Sequence, residues 1–362
     1  MKKNRGPNRR QFLSAGGSML AAFSATTPKS GQKPSARKGS RIDCQSHLFA
    51  PELLSLMEKR QESPRAYRQG DDLYVVVGDW VRRVLPKHLD VAAKIVDMDL
   101  SGIQMTALSI NDPGPELFGK EGAAVARIAN DFVAEVARQH PSRFFGLMVL
   151  PLQDMEAALL ELDRCANRLG MKGILLYSNL AGKFPDLPEF RPLFERAEAL
   201  GLPVLLHPAF PTTYEATKGY NMAAGLGLMF DTTIALNRII LAGILDQYPQ
   251  LKLVCPHVGG ALPYLIGRVD HQTMILKRGA DQIKIKKPPS EYLRHIYLDT
   301  VSPLAMAVRY GYDFVGPDRL LFASDHPWVN PALIAGNVES LNLTAEAEEK
   351  IFSANAKRLF RL

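Results

Sequence analysis

The chain has 362 residues and a formal net charge of +7. A chain of this length can bury a large core, and one undivided α/β barrel preceded by a leader would account for the length. Nine of the 44 lysines and arginines, and no acidic residue, lie in residues 1–40, so the remaining chain carries 35 bases against 37 acids. Because this body is nearly neutral, the charge distribution argues against a nucleic-acid partner.

The leader has the composition of an export signal. Arg9 and Arg10 precede a short apolar run rich in glycine and alanine, which ends in small residues. The run resembles a twin-arginine signal and predicts a signal peptide over 1–25, with export to the periplasm; a disordered basic tail is the alternative. Residues 26–40 predict a flexible linker. Since no other stretch has about 18 consecutive apolar residues, we expect no stable membrane insertion of the mature domain.

From residue 41 onward, short apolar or β-branched runs alternate with longer segments of helical periodicity. The predicted strands are 41–48, 103–110, 144–150, 173–178, 203–207, 252–257, 296–301 and 319–325. Alternating β and α units predict a parallel sheet, and eight such units predict a closed (β/α)8 TIM barrel of the α/β class. The barrel would form a single domain over residues 41–362.

Three local patterns refine this prediction. The long connection after the first strand contains the alternating stretch 71–83, which predicts a small hairpin excursion over the barrel mouth. Asp154 and Gly170 are suitable residues to begin and end one helix. Thr344 is a suitable N-cap for the last helix of the chain.

Polar side chains follow the apolar residues of several predicted strands. They are Gln45, His47, His207, His257 and Asp325. A lone histidine at a strand end is more often structural, but the active site of such a barrel lies at the carboxyl ends of its strands, where all five residues would meet. Neutral imidazoles and a carboxylate suit one divalent ion such as zinc, manganese or iron, with a position left open for water.

An ordered set of motifs adds a family resemblance. The set is IDCQSH, LLHPAFP, CPHVGGALPYLIGRVDH, YLDTVS, LLFASDHPW and SANAKRLF, spread over residues 41–362. It resembles the amidohydrolase superfamily, amidohydrolase-related family 2, in the branch around aminocarboxymuconate-semialdehyde decarboxylase. The resemblance implies a TIM barrel of the metallo-dependent hydrolase type.

The resemblance also implies roles for residues at the centre of the site. By match of motif, His47, His207 and Asp325 would bind one divalent metal ion, for which zinc is our first expectation and manganese or iron the alternatives. His257 would be the proton-transfer residue and would act together with Asp325.

Further residues are implied around the substrate. Arg268 matches an arginine that reaches a substrate carboxylate in the neighbouring subunit, which implies a homodimer. Arg82 or Arg83, on the excursion, would form a second carboxylate clamp, although the local match is loose. Trp328 falls where the family has an aromatic pocket wall.

Gln45 departs from the family pattern, because it stands at the first histidine of Asp-x-His-x-His. An amide oxygen is a harder and weaker donor for zinc than imidazole. Three interpretations follow: Gln45 is a fourth ligand to a weaker or different metal, it supports a three-ligand site from outside, or metal binding has been lost.

These observations predict a metal-dependent decarboxylase, a carbon–carbon lyase acting on a small carboxylated substrate that is unsaturated or aromatic. A metal-dependent hydrolase of a lactone, ester or amide uses the same fold and ligands and stays an alternative. A degenerate, non-catalytic exported barrel is the second alternative.

Overall fold

The computed structural model describes residues 40–362, so the signal peptide predicted over 1–25 and the linker up to residue 39 lie outside the described residues. Within this range the strands, in chain order, are β1 (Arg41–Leu48), β2 (Arg65–Gln69), β3 (Asp72–Val77), β4 (Trp80–Val84), β5 (Ile103–Ile110), β6 (Phe144–Met148), β7 (Gly173–Tyr177), β8 (Val204–His207), β9 (Leu253–Cys255), β10 (Tyr297–Asp299) and β11 (Leu320–Leu321).

Eight of these strands form the predicted parallel barrel. They pair in the order β1-β5-β6-β7-β8-β9-β10-β11. Closure occurs between the first and last strand, where Ser46 and His326 form a parallel bridge and the amide of Cys44 donates to the carbonyl of Phe322 at 2.9 Å. The predicted TIM barrel is therefore confirmed, and each barrel strand overlaps one of the eight predicted segments.

Helices surround the barrel. They are α1 (Pro51–Glu58), α2 (Val91–Leu100), α3 (Gly122–Gln139), α4 (Met155–Asn167), α5 (Arg191–Leu200), α6 (Leu228–Leu241), α7 (Leu262–Asp270), α8 (Ala305–Val315), α9 (Pro331–Glu339) and α10 (Asn355–Phe360), with shorter turns at Tyr214–Thr217, Ile244–Gln247, Pro289–Leu293 and Ala345–Glu349. Two predicted caps are present, because Asp154 accepts from the amide of Ala157 at 3.1 Å and Thr344 accepts from that of Ala347 at 3.3 Å.

The barrel interior is filled by side chains from alternate strand positions. Ile42, Phe145, Leu205 and Leu321 belong to this inner cluster, which is buried. Phe360, from the last helix, packs against Phe145 with ring centroids 4.8 Å apart. Because apolar residues fill the interior and the last helix packs against it, the polar residues at the carboxyl ends of the strands are left to form a site.

The excursion after β1 is larger than predicted. It is a three-stranded antiparallel sheet, β2-β3-β4, rather than a two-stranded hairpin. The additional strand, Arg65–Gln69, is short and mostly polar, so its sequence lacks the apolar alternation that identified the other two. The excursion contributes Trp80 and Arg82 to the mouth of the barrel.

Within residues 40–362 one helical stretch, Gly219–Leu241, is long and apolar enough to cross a membrane by length and composition, with a mean hydropathy of 1.3. In its most apolar 18-residue window 44% is buried, and Leu236, Ile239 and Ile240 of α6 lie in the core. A barrel helix with a wide buried face passes the same test of composition. The absence of stable membrane insertion stays a prediction.

Candidate metal centre and active site

Three predicted ligands meet at the carboxyl end of the barrel. His47 lies near the end of β1, His207 is the last residue of β8, and Asp325 follows β11. One donor atom from each lies within 4.8 Å of the others. The Nε2 atoms of His47 and His207 are 3.1 Å apart, and Nε2 of His47 is 3.1 Å from Oδ1 of Asp325.

The hydrogen bonds of the two imidazoles show that these residues fit a metal ion. Nδ1 of His207 lies 2.8 Å from the carbonyl oxygen of Pro208, which can only accept, so Nδ1 carries the proton and Nε2 a lone pair. Nδ1 of His47 lies 2.8 Å from Ser109 Oγ and 3.3 Å from the carbonyl of Ile110, which favours the same tautomer. Two facing lone pairs beside a carboxylate repel one another unless they share a cation.

The electrostatics of His207 agree with a ligand role. Burial, together with the adjacent His47, lowers the pKa of His207 to about 3, so its ring is neutral at physiological pH. Neutral imidazole is the form that binds metals. A divalent ion held by two imidazoles and a carboxylate matches the donor preferences of zinc, manganese and iron.

His257 lies beside the same carboxylate. Its Nε2 is 3.5 Å from Oδ2 of Asp325. Burial lowers the pKa of His257, but the hydrogen bond to Asp325 and the charges of Asp325 and Asp299 raise it by more, so the pKa lies above the ordinary value. Burial likewise raises the pKa of Asp325, and its contacts with His257 and His47 lower it by more. His257 is therefore suited to hold and deliver a proton next to the metal ligands.

Unusual backbone geometry places both residues. His257, Val258 and Asp325 have φ angles of 55°, 57° and 59°, in the left-handed region that such residues rarely adopt. Gly260 follows with φ of 62°, and a Cβ on it would lie 3.0 Å from the carbonyl of Met229. The HVGG sequence therefore provides a sharp turn that only small residues complete. The amide of Asp325 donates to the carbonyl of Gln45 at 2.9 Å, which fixes the other turn.

Gln45 is buried and contacts Asp325, a predicted metal ligand. Its Nε2 donates to Oδ1 of Asp325 at 3.1 Å. A shift in the β1–β5 register between Asp43 and Ser46 accompanies this arrangement, as expected where a strand re-aims its side chains. The contact is the one expected of a residue that orients a ligand, the second of the three interpretations of Gln45.

Sequence reasoning missed a group of charged residues behind Asp325. Lys94 of α2 is buried, and its Nζ lies 2.7 Å from Nδ1 of His326. Nε2 of His326 lies 2.9 Å from Asp97, so the ring points toward the helices, as strand alternation predicts. Burial lowers the pKa of Lys94 to about 7 against the opposing effects of Asp43, Asp325 and Asp97. A lysine inside an amphipathic helix gives no sequence signal of such a position.

A cavity of about 880 Å³ opens above these residues. His207, His257 and Asp325 form its polar end, and most of its remaining walls are apolar or aromatic, including Leu226, Met229, Phe230, Tyr264, Leu304, Met306 and Tyr310. A cavity of this size and character suits a small ligand with a flat apolar body.

Trp328 lines this cavity, where it was predicted as a pocket wall. Its Nε1 donates to Oδ1 of Asn111 at 2.8 Å, and its ring packs on His88 with centroids 4.3 Å apart. The sequence gives no signal of a role for His88, because it lies outside the eight predicted barrel strands. It is buried, and it supports the wall.

The three predicted arginines occupy different places. Arg82 lines the cavity and pairs with Asp112, whereas its neighbour Arg83 pairs with Asp72 and is absent from the lining. Arg268 lies on the exposed face of α7, outside the cavity of this chain. The structure therefore brings one of them to the metal centre's pocket.

Comparison with known proteins now identifies the family. The amidohydrolase family matches residues 42–362. The chain is 32% identical over 314 residues to gamma-resorcylate decarboxylase of a Rhizobium species, which covers 81% of this chain and 94% of the relative. It is 28% identical over 291 residues to 2-amino-3-carboxymuconate-6-semialdehyde decarboxylase of Dictyostelium discoideum, covering 78% and 79%.

Solved structures of decarboxylases have a similar fold. That of 5-carboxyvanillate decarboxylase from Sphingomonas paucimobilis has a TM-score of 0.79 at 27% identity, covering 89% of this chain and 99% of the other. A dihydroxybenzoic acid decarboxylase from a Polaromonas species, with bound manganese and the inhibitor 2-nitroresorcinol, has a TM-score of 0.76 at 26% identity, covering 90% and 97%. The resemblance inferred from the motifs is confirmed, and the chain belongs to the amidohydrolase family.

Proposed function

We propose that this protein is a metal-dependent decarboxylase of a small aromatic carboxylic acid. The observation that carries the proposal is the contact between His257 and Asp325 beside the ligands His47 and His207, at the floor of a largely apolar pocket. The similar proteins support it, since the relatives and solved structures described above are decarboxylases of carboxylated substrates, and one has bound manganese.

Each group of residues has a separate role in the proposed reaction. His47, His207 and Asp325 would hold a divalent ion, which polarises a substrate oxygen. The pocket walls orient the ring and exclude water. His257, with Asp325, delivers a proton to the ring carbon that bears the carboxylate; the bond to the carboxylate then breaks, CO2 leaves, and the bonding electrons restore the aromatic ring.

The two alternatives left open by the sequence have less support. Hydrolysis of a lactone, ester or amide would use the same ligands, but the similar proteins favour a carboxy-lyase over a hydrolase. A degenerate barrel would not need His257 within hydrogen-bonding range of Asp325. Nor would it need the backbone of Asp325 in the strained left-handed conformation.

The test is CO2 release by the purified protein, loaded in parallel with zinc, manganese or iron, from a panel of hydroxybenzoic acids. Turnover that requires metal and falls by about 10²–10⁴-fold in His257→Gln is the expected result. Lactone hydrolysis without CO2 release would replace the proposal with the hydrolase. From the ligand set we expect zinc. Manganese is the first alternative, because a similar structure contains it.

We further propose a homodimer in which Arg268 serves the neighbouring subunit's pocket. Arg268 is exposed on α7, and Tyr264 of the same helix lines the cavity and is 81% exposed. An exposed aromatic beside a guanidinium that pairs with no residue of 40–362 suits an interface. Sedimentation of wild type and Arg268→Glu tests the assembly, and mixing inactive His257→Gln with inactive Arg268→Ala tests the sharing of sites by recovery of activity.

Export by a twin-arginine signal is also a proposal. It depends on Arg9 and Arg10 ahead of the apolar run. Fractionation of cells that express wild type or the double variant Arg9→Lys, Arg10→Lys tests it. Periplasmic protein that is lost in the variant supports the proposal, whereas equal distribution of both contradicts it.

A further inference from the structure

The pocket has one lysine or arginine among its described lining residues, and that residue is already paired. Arg82 donates from Nη1 to Oδ1 and from Nη2 to Oδ2 of Asp112, both at 2.7 Å. The two side chains are 13% and 10% exposed. A two-point pair of this kind, sheltered from water, is the strong form of a charge-assisted hydrogen bond.

The guanidinium is held from a second side. Its Cζ lies 4.5 Å from the ring centroid of Trp80, on the same strand β4. Five N–H groups belong to a guanidinium, and Asp112 uses two of them. Nε is buried and has no hydrogen-bond partner among the described residues. Arg82 therefore keeps donors for a ligand, while its charge is cancelled by Asp112.

The surroundings do not restore a positive charge. Glu116 is buried close to Asp112, and burial, with the charge of Asp112 as a lesser cause, raises the pKa of Glu116 to about 8. The hydroxyl of Tyr177 is likewise buried, and no residue in the described part of the chain bonds to it. At neutral pH the region around the pair is thus polar but has no net charge.

We propose, resting on the proposed function, that Asp112 is a positioning residue that aims Arg82 and cancels its charge, so that the pocket selects aromatic acids with one carboxylate over those with two. The carboxylate that is lost lies at the metal end, and in the dimer proposed above Arg268 of the partner subunit would serve that carboxylate, so it would not attract a second one to Arg82. A hydroxyl or carbonyl oxygen elsewhere on the ring accepts from the free N–H groups of Arg82. A second carboxylate would instead meet a paired guanidinium and the repelling oxygens of Asp112.

This assignment changes the role expected of Arg82 from the sequence. The residue was predicted as a second carboxylate clamp, but its carboxylate partner comes from the chain itself. The neighbouring pair of Arg83 and Asp72 on the same excursion provides a natural control, since neither residue lines the pocket.

The experiment compares 2-hydroxybenzoate with 4-hydroxyisophthalate, which differ by one ring carboxylate. The ratio of kcat/KM for the two acids is measured with metal-loaded wild type, Asp112→Asn, Arg82→Gln and Asp72→Asn. Because both acids are tested on one preparation, the ratio does not depend on how much of a variant is folded. Calorimetry gives the Kd of each acid, and the ratio of the two Kd values measures the same selectivity without turnover.

Wild type is expected to favour the monocarboxylate. Asp112→Asn frees a positive charge, so the ratio shifts toward the dicarboxylate by about 10-fold or more, whereas Arg82→Gln leaves Asp112 unpaired and shifts it the other way. Asp72→Asn leaves it unchanged. Equal ratios in wild type, Asp112→Asn and Arg82→Gln, or an equal shift in Asp72→Asn, would overturn the inference. Selective binding without CO2 release would overturn the proposed function alone.

Discussion

His207 and His257 end or follow adjacent strands of one barrel and line one pocket, yet their pKa values move in opposite directions. That of His207 falls to about 3, and that of His257 rises above its ordinary value. Burial lowers both. The difference comes from what each ring faces: His207 faces the ring of His47 with centroids 4.5 Å apart, and His257 faces the carboxylate of Asp325. The immediate neighbour, rather than the residue type or depth, accounts for the different roles proposed for the two rings, as ligand and as proton carrier.

Asp325 is the residue on which both roles depend, and its replacement should have the largest effect. Asp325→Asn removes a ligand's charge and the partner that raises the pKa of His257. We expect metal content to fall well below one equivalent and decarboxylation to fall by about 10⁴-fold or more. Mass spectrometry for metal and a CO2 assay check both. A variant with full metal and more than about 1% activity would show that Asp325 serves neither histidine as described.

The two histidines themselves separate the roles. His257→Gln should keep its metal and lose about 10²–10⁴-fold in kcat, because a proton carrier is removed. His207→Gln should lose metal first, and excess metal should recover part of its activity. Metal titration with kinetics at each step makes the comparison. If both variants bind metal equally, the assignment of His207 as a ligand is wrong.

Gln45 tests whether a residue that only touches the ligand carboxylate matters. Gln45→Ala should weaken metal affinity by about 10–100-fold, the range for residues that orient ligands, with little change in kcat at saturating metal. Gln153→Ala is the control, because its amide donates to the carbonyls of Pro115 and Gly119 away from the site. Loss of kcat at saturating metal in Gln45→Ala would instead favour direct ligation.

A carboxyl outside the metal centre shows the opposite case, in which burial rather than a neighbour decides the pKa. Burial raises the pKa of Glu116 from 4.5 to about 8, so the folded state holds a proton that the unfolded state releases. The proton on Glu116 therefore stabilises the folded state. This contribution is fully present below about pH 4.5 and is lost as the pH rises through about 8. Between pH 6 and pH 9 the free energy of unfolding should fall by about 3 kcal/mol more in wild type than in Glu116→Gln.

Urea denaturation at the two pH values measures this difference. Glu52→Gln, at an exposed position of α1, is the control and should behave as wild type. A wild-type pH slope that persists in Glu116→Gln would assign the effect to another group.

The sequence predicted what strand periodicity and strand ends encode. Eight apolar runs fixed the barrel, and because barrel strands place their carboxyl ends together, His47, His207, His257 and Asp325 could be assigned to one site before any coordinates. Pairings between distant segments could not be predicted in the same way. Lys94, 232 positions from His326, and Asp112, 30 positions from Arg82, reach their partners only through the fold. Nor did the sequence indicate that Gln45 would face Asp325 with its amide nitrogen.

Trp328 should have the smallest effect, because its side chain contacts Asn111 and His88, and only its backbone amide, which a substitution keeps, donates to the carbonyl of Asp325. Trp328→Phe keeps an aromatic wall but removes the hydrogen bond from Nε1 to Asn111. We expect KM to rise by about 2–10-fold, the equivalent of one neutral hydrogen bond, with kcat and metal content unchanged. Steady-state kinetics with one hydroxybenzoic acid measures the change. Since the wall positions the ring but does not hold the proton, a fall in kcat larger than the rise in KM would mean that Trp328 acts on His257 or Asp325 after all.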